Sequence, residues 1–65
     1  MVPEIAIWRT ATLMLKRYGK FAELESTRRA FKLAVGGDRN AAAVWRRVAE
    51  AIGQLGMTTP PGPLH

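Results

Sequence analysis

The clearest pattern in the chain is a set of apolar positions that recurs every three or four residues between residues 39 and 55. This spacing matches the period of an α-helix and gives one continuous apolar stripe. Gly36-Gly37 precedes the stripe and can end a helix, and Asp38 can then accept an N–H of the next helix's first turn. The pattern predicts a helix over 39–55 with these inward residues: Ala41, Val44, Trp45, Val48, Ile52 and Leu55.

A broader apolar arc predicts a helix over 3–18. Pro3 suits the first turn of a helix, where its missing N–H has no partner to lose, and Gly19 is a natural stop. Apolar residues occupy more than half of the helical wheel, which is more than a small core can cover. We therefore expect an exposed apolar patch on this helix, and its best candidates are Ile7, Leu13 and Met14.

The segment between the two glycine sites predicts a helix over 20–35. Glu25 lies three residues before Arg28 and four before Arg29, so it can pair with both along the helix surface. The largest apolar side chains of the segment repeat at helical spacing, and we expect them to face the core. They are Phe21, Leu24, Phe31, Ala34 and Val35.

These elements define an all-α fold, a small three-helix domain over 1–56 followed by an extended, Pro- and Gly-rich tail over 57–65. Helices joined by such short connections usually pack antiparallel. A chain of 65 residues buries a small core and has marginal stability. Because it contains no cysteine, no disulfide can support the fold, and self-association becomes an attractive source of stability.

Catalytic chemistry has little support in the sequence. The single histidine is His65 in the predicted tail, and the five carboxylates are explained by helix ends or charge pairs. A metal site needs three or four converging ligands, and a general base needs a positioned partner. We expect a protein that is not an enzyme and uses no cofactor or metal. Without an apolar run of membrane length or a signal-peptide pattern, it is expected to be cytoplasmic.

Contact with another protein, or with a second copy of this chain, is the function that the sequence favours. Tryptophan is enriched at binding hot spots, although Trp8 and Trp45 both lie on apolar stripes and are also explained as core residues. Self-association through the first helix is the nearest concrete form of this hypothesis. The candidate partner-binding residues are Ile7, Trp8, Met14 and Phe31.

A basic surface that binds nucleic acid is the alternative. The formal net charge is +5, which would favour polyanions, although it is equally typical of a solvated surface. Such a surface needs the cations of the second and third helices to lie side by side. Beyond Arg39 and Asn40, the start of the third helix offers few side chains that read base edges. The candidate residues are Arg28, Arg29, Lys32, Arg39, Arg46 and Arg47.

From Met14 onward the chain resembles a family of short, mostly alphaproteobacterial proteins classified as a domain of unknown function. Its most specific element is Gly37-Asp38 with Val44-Trp45-Arg46-Arg47 seven residues on, and the closing Pro-Gly segment with His65 is similar to the family's usual end. The resemblance implies a small, all-helical, cytoplasmic protein and no particular activity, cofactor or substrate.

Overall fold

A computed structural model describes residues 2–58 of the chain, with side chains described through residue 56. The elements are α1 (Glu4–Tyr18), a 3₁₀ turn (Gly19–Phe21), α2 (Ala22–Val35) and α3 (Arg39–Thr58). This part of the chain contains helices and turns and no strand. The predicted all-α class is therefore confirmed.

The junction between α1 and α2 is a 3₁₀ turn, and α2 begins at Ala22 and not at the predicted residue 20. Gly19 has a φ of 57°, and its N–H donates to the carbonyl oxygen of Leu15, which ends α1. The 3₁₀ turn follows at once and leads directly into α2. The described chain thus forms two continuous helical runs, 4–35 and 39–58, of which the first turns at Gly19, and not three separated helices.

The connection between α2 and α3 follows the predicted chemistry. Gly37 has a φ of 95°, a conformation that suits glycine, and its N–H donates to the carbonyl of Ala34 at 3.1 Å. The N–H of Asp38 reaches back to the carbonyl of Leu33 at 2.9 Å, which completes a Schellman-type helix end. Asp38 Oδ1 then accepts the N–H of Ala41 at 3.0 Å, so its predicted role as the N-cap of α3 is confirmed.

The third helix is longer than predicted, because it continues to Thr58 through Gly53 and Gly56. A glycine within a helix weakens it by about 1 kcal/mol relative to alanine, which is too little to end one that packs along its length. Residues 57 and 58 therefore belong to α3 and not to the predicted tail. The remainder of that tail, residues 59–65 with His65, lies outside the described residues.

Small side chains form much of the buried surface. On α2 the buried residues are Ala22, Ser26 and Ala30, and on α3 they include Ala42 and Ala49. The larger buried side chains come from α1 and α3, namely Ile7, Met14, Val48 and Ile52. Small residues let helix backbones approach closely, and a close approach leaves no space for a phenylalanine between them.

The predicted inward face of α2 is consequently wrong. Phe21, Leu24, Phe31 and Val35 are 57% to 72% exposed, and Ala34 is exposed as well. The helix turns its row of small residues toward the core, and its large apolar residues lie on the opposite side. A prediction from hydrophobicity alone placed the large residues of α2 in the core. The space between the helices admits only small side chains, so the opposite face is buried.

Replacing Ser26 by alanine is expected to stabilise the fold. Ser26 is fully buried, and its Oγ has no hydrogen-bond partner within the described part of the chain. Removing an unsatisfied hydroxyl and improving helix propensity should together raise the free energy of unfolding by about 1 kcal/mol. Urea unfolding monitored by circular dichroism measures this change. Thr12→Ala is the control, because its exposed hydroxyl already bonds the Trp8 carbonyl at 3.0 Å, so this variant gains helix propensity alone and a smaller rise is expected.

Candidate functional site

Two of the predicted partner-binding residues belong to the core. Ile7 and Met14 are only 4% and 5% exposed, and with Ala11 they form the buried side of α1. Their seven-residue spacing places them on one side of the helix, and that side packs in the core cluster with Val48. The expectation that Ile7 and Met14 form an exposed patch is therefore wrong. Leu13, the third residue of that patch, is 64% exposed, as predicted.

Both tryptophans are partly buried and pack against the core cluster. Trp8 also lines a shallow, open groove on α1 together with Ile5 and Leu13. The core interpretation thus accounts for most of the surface of each indole. Trp8 still offers one edge of its ring to a partner, whereas Trp45 is covered by a charged side chain of α2.

That side chain is Arg29, which lies where the three helices meet. Its Nη2 donates to the hydroxyl oxygen of Tyr18 at 2.9 Å, and its Nε donates to Glu25 Oε2 at 3.2 Å. The guanidinium carbon lies 5.0 Å from the centroid of the Trp45 ring, within cation–π distance. Arg29 therefore links α2 to α1 and α3, and these contacts compete with any phosphate. Of the three contacts, only the pair with Glu25 could be predicted from the sequence.

Arg47 has a similar structural role at the other end of α1. Its guanidinium bonds Glu4 at the start of α1, and its Nη1 donates to Glu50 Oε1 at 2.5 Å within α3. All three side chains are substantially exposed, so each pair contributes little free energy. The two carboxylates nevertheless neutralise much of the positive charge that Arg47 would offer to nucleic acid.

The remaining candidate cations do not form one continuous basic face. Arg28 lies 3.8 Å from Glu25, whereas Lys32, Arg39 and Arg46 have no ion pair among residues 2–56. Arg46 lines a groove with Thr27 of α2. Arg28 is displaced from Thr27 by about 100° around the helix, and Lys32 by about 140° in the same direction. Arg28 and Lys32 of α2 therefore point away from the groove that Arg46 of α3 lines.

The most prominent surface feature is the outer face of α2, which we define as Leu24, Arg28, Phe31 and Val35 of α2 together with Phe21 of the preceding 3₁₀ turn. Four of these side chains are large and apolar, and all four are mostly exposed. Successive positions are three, four, three and four residues apart. This is the heptad spacing by which one helix packs along another. The spacing was visible in the sequence, but it was interpreted as the core side of α2, and of its members only Phe31 was a candidate for partner binding.

Chemical sites of other kinds are not apparent in the described region. No group of three or more His, Cys, Asp and Glu side chains converges on a metal-sized site among these residues. Within the same part of the chain, no helix combines the length and the apolar character needed to cross a membrane.

Comparisons of the chain with protein families, with curated proteins and with solved structures gave no match. The functional argument therefore depends on the geometry of this molecule.

Proposed function

We propose that this protein is a non-enzymatic, helical protein–protein interaction module, with the outer face of α2 as its contact surface. A role as a small regulator or accessory subunit, in the cytoplasm, fits such a module. The observation that carries the proposal is a row of exposed apolar side chains, three on one side of α2 and Phe21 in the 3₁₀ turn before it. Contiguous exposed apolar surface of this kind marks interaction sites in soluble proteins.

The shape of this face favours a protein helix as its partner. Leu24, Phe31 and Val35 fall within about 40° of one another around α2, which makes a narrow seam. Narrow seams with three- and four-residue spacing suit helix–helix packing, whereas helices that lie on lipid need a wide apolar face. Arg28 lies within the seam and is costly to bury in hydrocarbon, but it can be accommodated by the polar groups of a protein.

The proposal revises the set of contact residues. Phe31 is retained at the centre of the surface, and Trp8 is retained as a secondary contact beside Leu13 on α1. Ile7 and Met14 are removed because they are buried. The proposed membership of the chain in the alphaproteobacterial family it resembles is compatible with this role, since that family implies no activity.

The substitution Phe31→Glu tests the proposal. A carboxylate at the centre of the seam should disrupt packing against a partner helix and leave the fold intact, because Phe31 is exposed. In extracts of the cells that produce the protein, size-exclusion chromatography should show the wild-type chain above its 7.2 kDa monomer mass. The variant should elute as the monomer.

Gln54→Glu is the matched control, since it adds the same carboxylate at an exposed position on α3, away from the proposed contact residues. It should elute like the wild type, and circular dichroism should show the same helix content for all three proteins. A Phe31→Glu chain that elutes in the same complex as the wild type would contradict the proposal.

Binding of nucleic acid is the second candidate, and the three candidate cations that have no ion pair with the described residues favour it. In this candidate Lys32, Arg39 and Arg46 are the principal phosphate contacts, with Arg28 in a minor role. Fluorescence anisotropy with labelled duplex DNA and single-stranded RNA, between about 50 and 200 mM salt, should then show binding that weakens steeply with salt. Reversal of charge at Arg46 should reduce that salt dependence. The interaction module predicts no such binding.

A further inference from the structure

The charge pattern around the outer face of α2 carries information about its partner. A heptad repeat has two core positions, a and d. The a positions of this face are Phe21, Arg28 and Val35, and the d positions are Leu24 and Phe31. The residues that follow Leu24 and Phe31 are Glu25 and Lys32, which flank the same side of the seam with opposite charges. A face with this arrangement can be complementary to itself.

We propose that the outer face of α2 binds the same face of a second copy of this chain, with the two α2 helices antiparallel. This inference rests on the proposed function and names its partner. In an antiparallel pair the two core positions of the heptad face each other across the seam. Phe21 then lies against Phe31 of the second copy, and Leu24 lies against Arg28 of the second copy, each contact occurring twice.

The position of Arg28 disfavours alignments in which the two copies meet at this residue. In a parallel pair, or in an antiparallel pair centred on residue 28, the two Arg28 guanidinium groups would meet in the seam, which like-charge repulsion disfavours. In the proposed alignment each Arg28 covers Leu24 of the other copy with its aliphatic stem. Its charged end stays at the edge of the seam, where it is already 65% exposed and near Glu25.

The flanking charges agree with the same alignment. Lys32 of one copy lies on the same flank of the seam as Glu25 of the other, whose carboxylate also pairs with Arg28 and Arg29 of its own chain, and the two-fold symmetry repeats this arrangement. Lys32 has no ion pair with the described residues of its own chain, so its charge is available to a second copy. Flanking charges of this kind set partner choice and orientation in paired helices.

The expected complex is weak, because a single pair of four-turn helices buries less than a standard protein interface. Disulfide trapping suits such a complex, and the natural chain contains no cysteine to interfere. The experiment uses two full-length variants, Phe21→Cys and Phe31→Cys, oxidised separately and as an equal mixture. In a mixed dimer, the thiol introduced at position 21 of one copy faces the thiol introduced at position 31 of the other. At the opposite end of the seam, Phe31 still packs against Phe21.

The mixture should form about tenfold more covalent dimer between different chains than a background mixture of Phe31→Cys with Leu13→Cys, because pairing raises the effective thiol concentration. Each variant alone should stay near that background. Adding Lys32→Glu to both chains should lower the mixed yield, since each Glu25 then faces another carboxylate. Circular dichroism of each variant confirms that the compared chains are folded.

Three results would overturn this inference. Strong trapping of each variant alone, with the mixed dimer at background, would indicate a parallel pair. Flotation of the wild-type chain with phosphatidylglycerol vesicles, together with background trapping, would assign the face to a membrane surface. Background trapping together with a mass shift for Phe31→Glu in extracts would assign the face to a different protein, and the proposed function would then stand without self-pairing.

Discussion

Replacing Met14 by alanine is expected to remove most of the stability of this domain. Met14 is almost fully buried in the core cluster, and deleting a buried side chain of this size typically costs about 2–5 kcal/mol. A single core in a chain this short rarely supplies more than about 3–5 kcal/mol. At 25 °C the Met14→Ala chain should therefore be largely unfolded, with a loss of helical circular dichroism.

The neighbouring substitution Leu13→Ala provides the control. Leu13 precedes Met14 in α1 and faces solvent, so its truncation should change the free energy of unfolding by less than about 0.5 kcal/mol. Urea titrations of the three proteins measure both effects. Similar midpoints for the two variants would show that α1 does not bury the side containing Ile7 and Met14.

Replacing Ala42 by leucine is the second substitution with a large expected effect. Ala42 is fully buried in the first turn of α3, among helices that pack through small residues. Three additional carbon atoms must displace their neighbours, and overpacking of this kind costs about 1–3 kcal/mol. In a domain of this size, each kcal/mol lowers the melting temperature by about 4–8 °C.

Ala43→Leu is the matched control, because the next residue in the same helix turn is exposed. Its melting temperature should remain within a few degrees of the wild-type value, since both residues are good helix formers. Thermal unfolding followed by circular dichroism compares the two variants. A similar melting temperature for the Ala42→Leu chain would contradict the close packing of small side chains.

The parts of the fold that depend on local chemistry were predictable. The helical period of α3, the Schellman turn at Gly37 and the N-cap at Asp38 follow from residues near one another in the sequence. The ion pairs of Glu25 follow from helix spacing alone. For such features the sequence contains nearly all of the physical information.

The orientation of α2 was not predictable in the same way. One side of this helix presents large apolar residues and the other presents small ones, including Ser26. A hydrophobicity pattern favours the large residues for the core, but the spacing between α2 and α3 depends on the volumes of both helices together. The outer face, which carries the proposed function, was therefore expected to be buried.

The tertiary roles of the arginines were also beyond the sequence. Arg29 meets Tyr18 and Trp45 from two other helices, and Arg47 meets Glu4 across the domain. Each of these contacts joins residues that are distant in the chain, so no helical spacing indicates them. These contacts separate Arg29 and Arg47, which link helices, from the candidate cations that have no ion pair with the described residues.

The most direct test of the central claim is site-specific photo-cross-linking in the cells that produce the protein. A benzophenone amino acid replaces Phe31 on the outer face of α2 in one variant and Arg46 on α3 in another. The account predicts a cross-linked protein adduct, or a dimer of this chain, from position 31 and little from position 46. Cross-linking only from position 46, to nucleic acid, would contradict it and identify the basic residues as the functional surface.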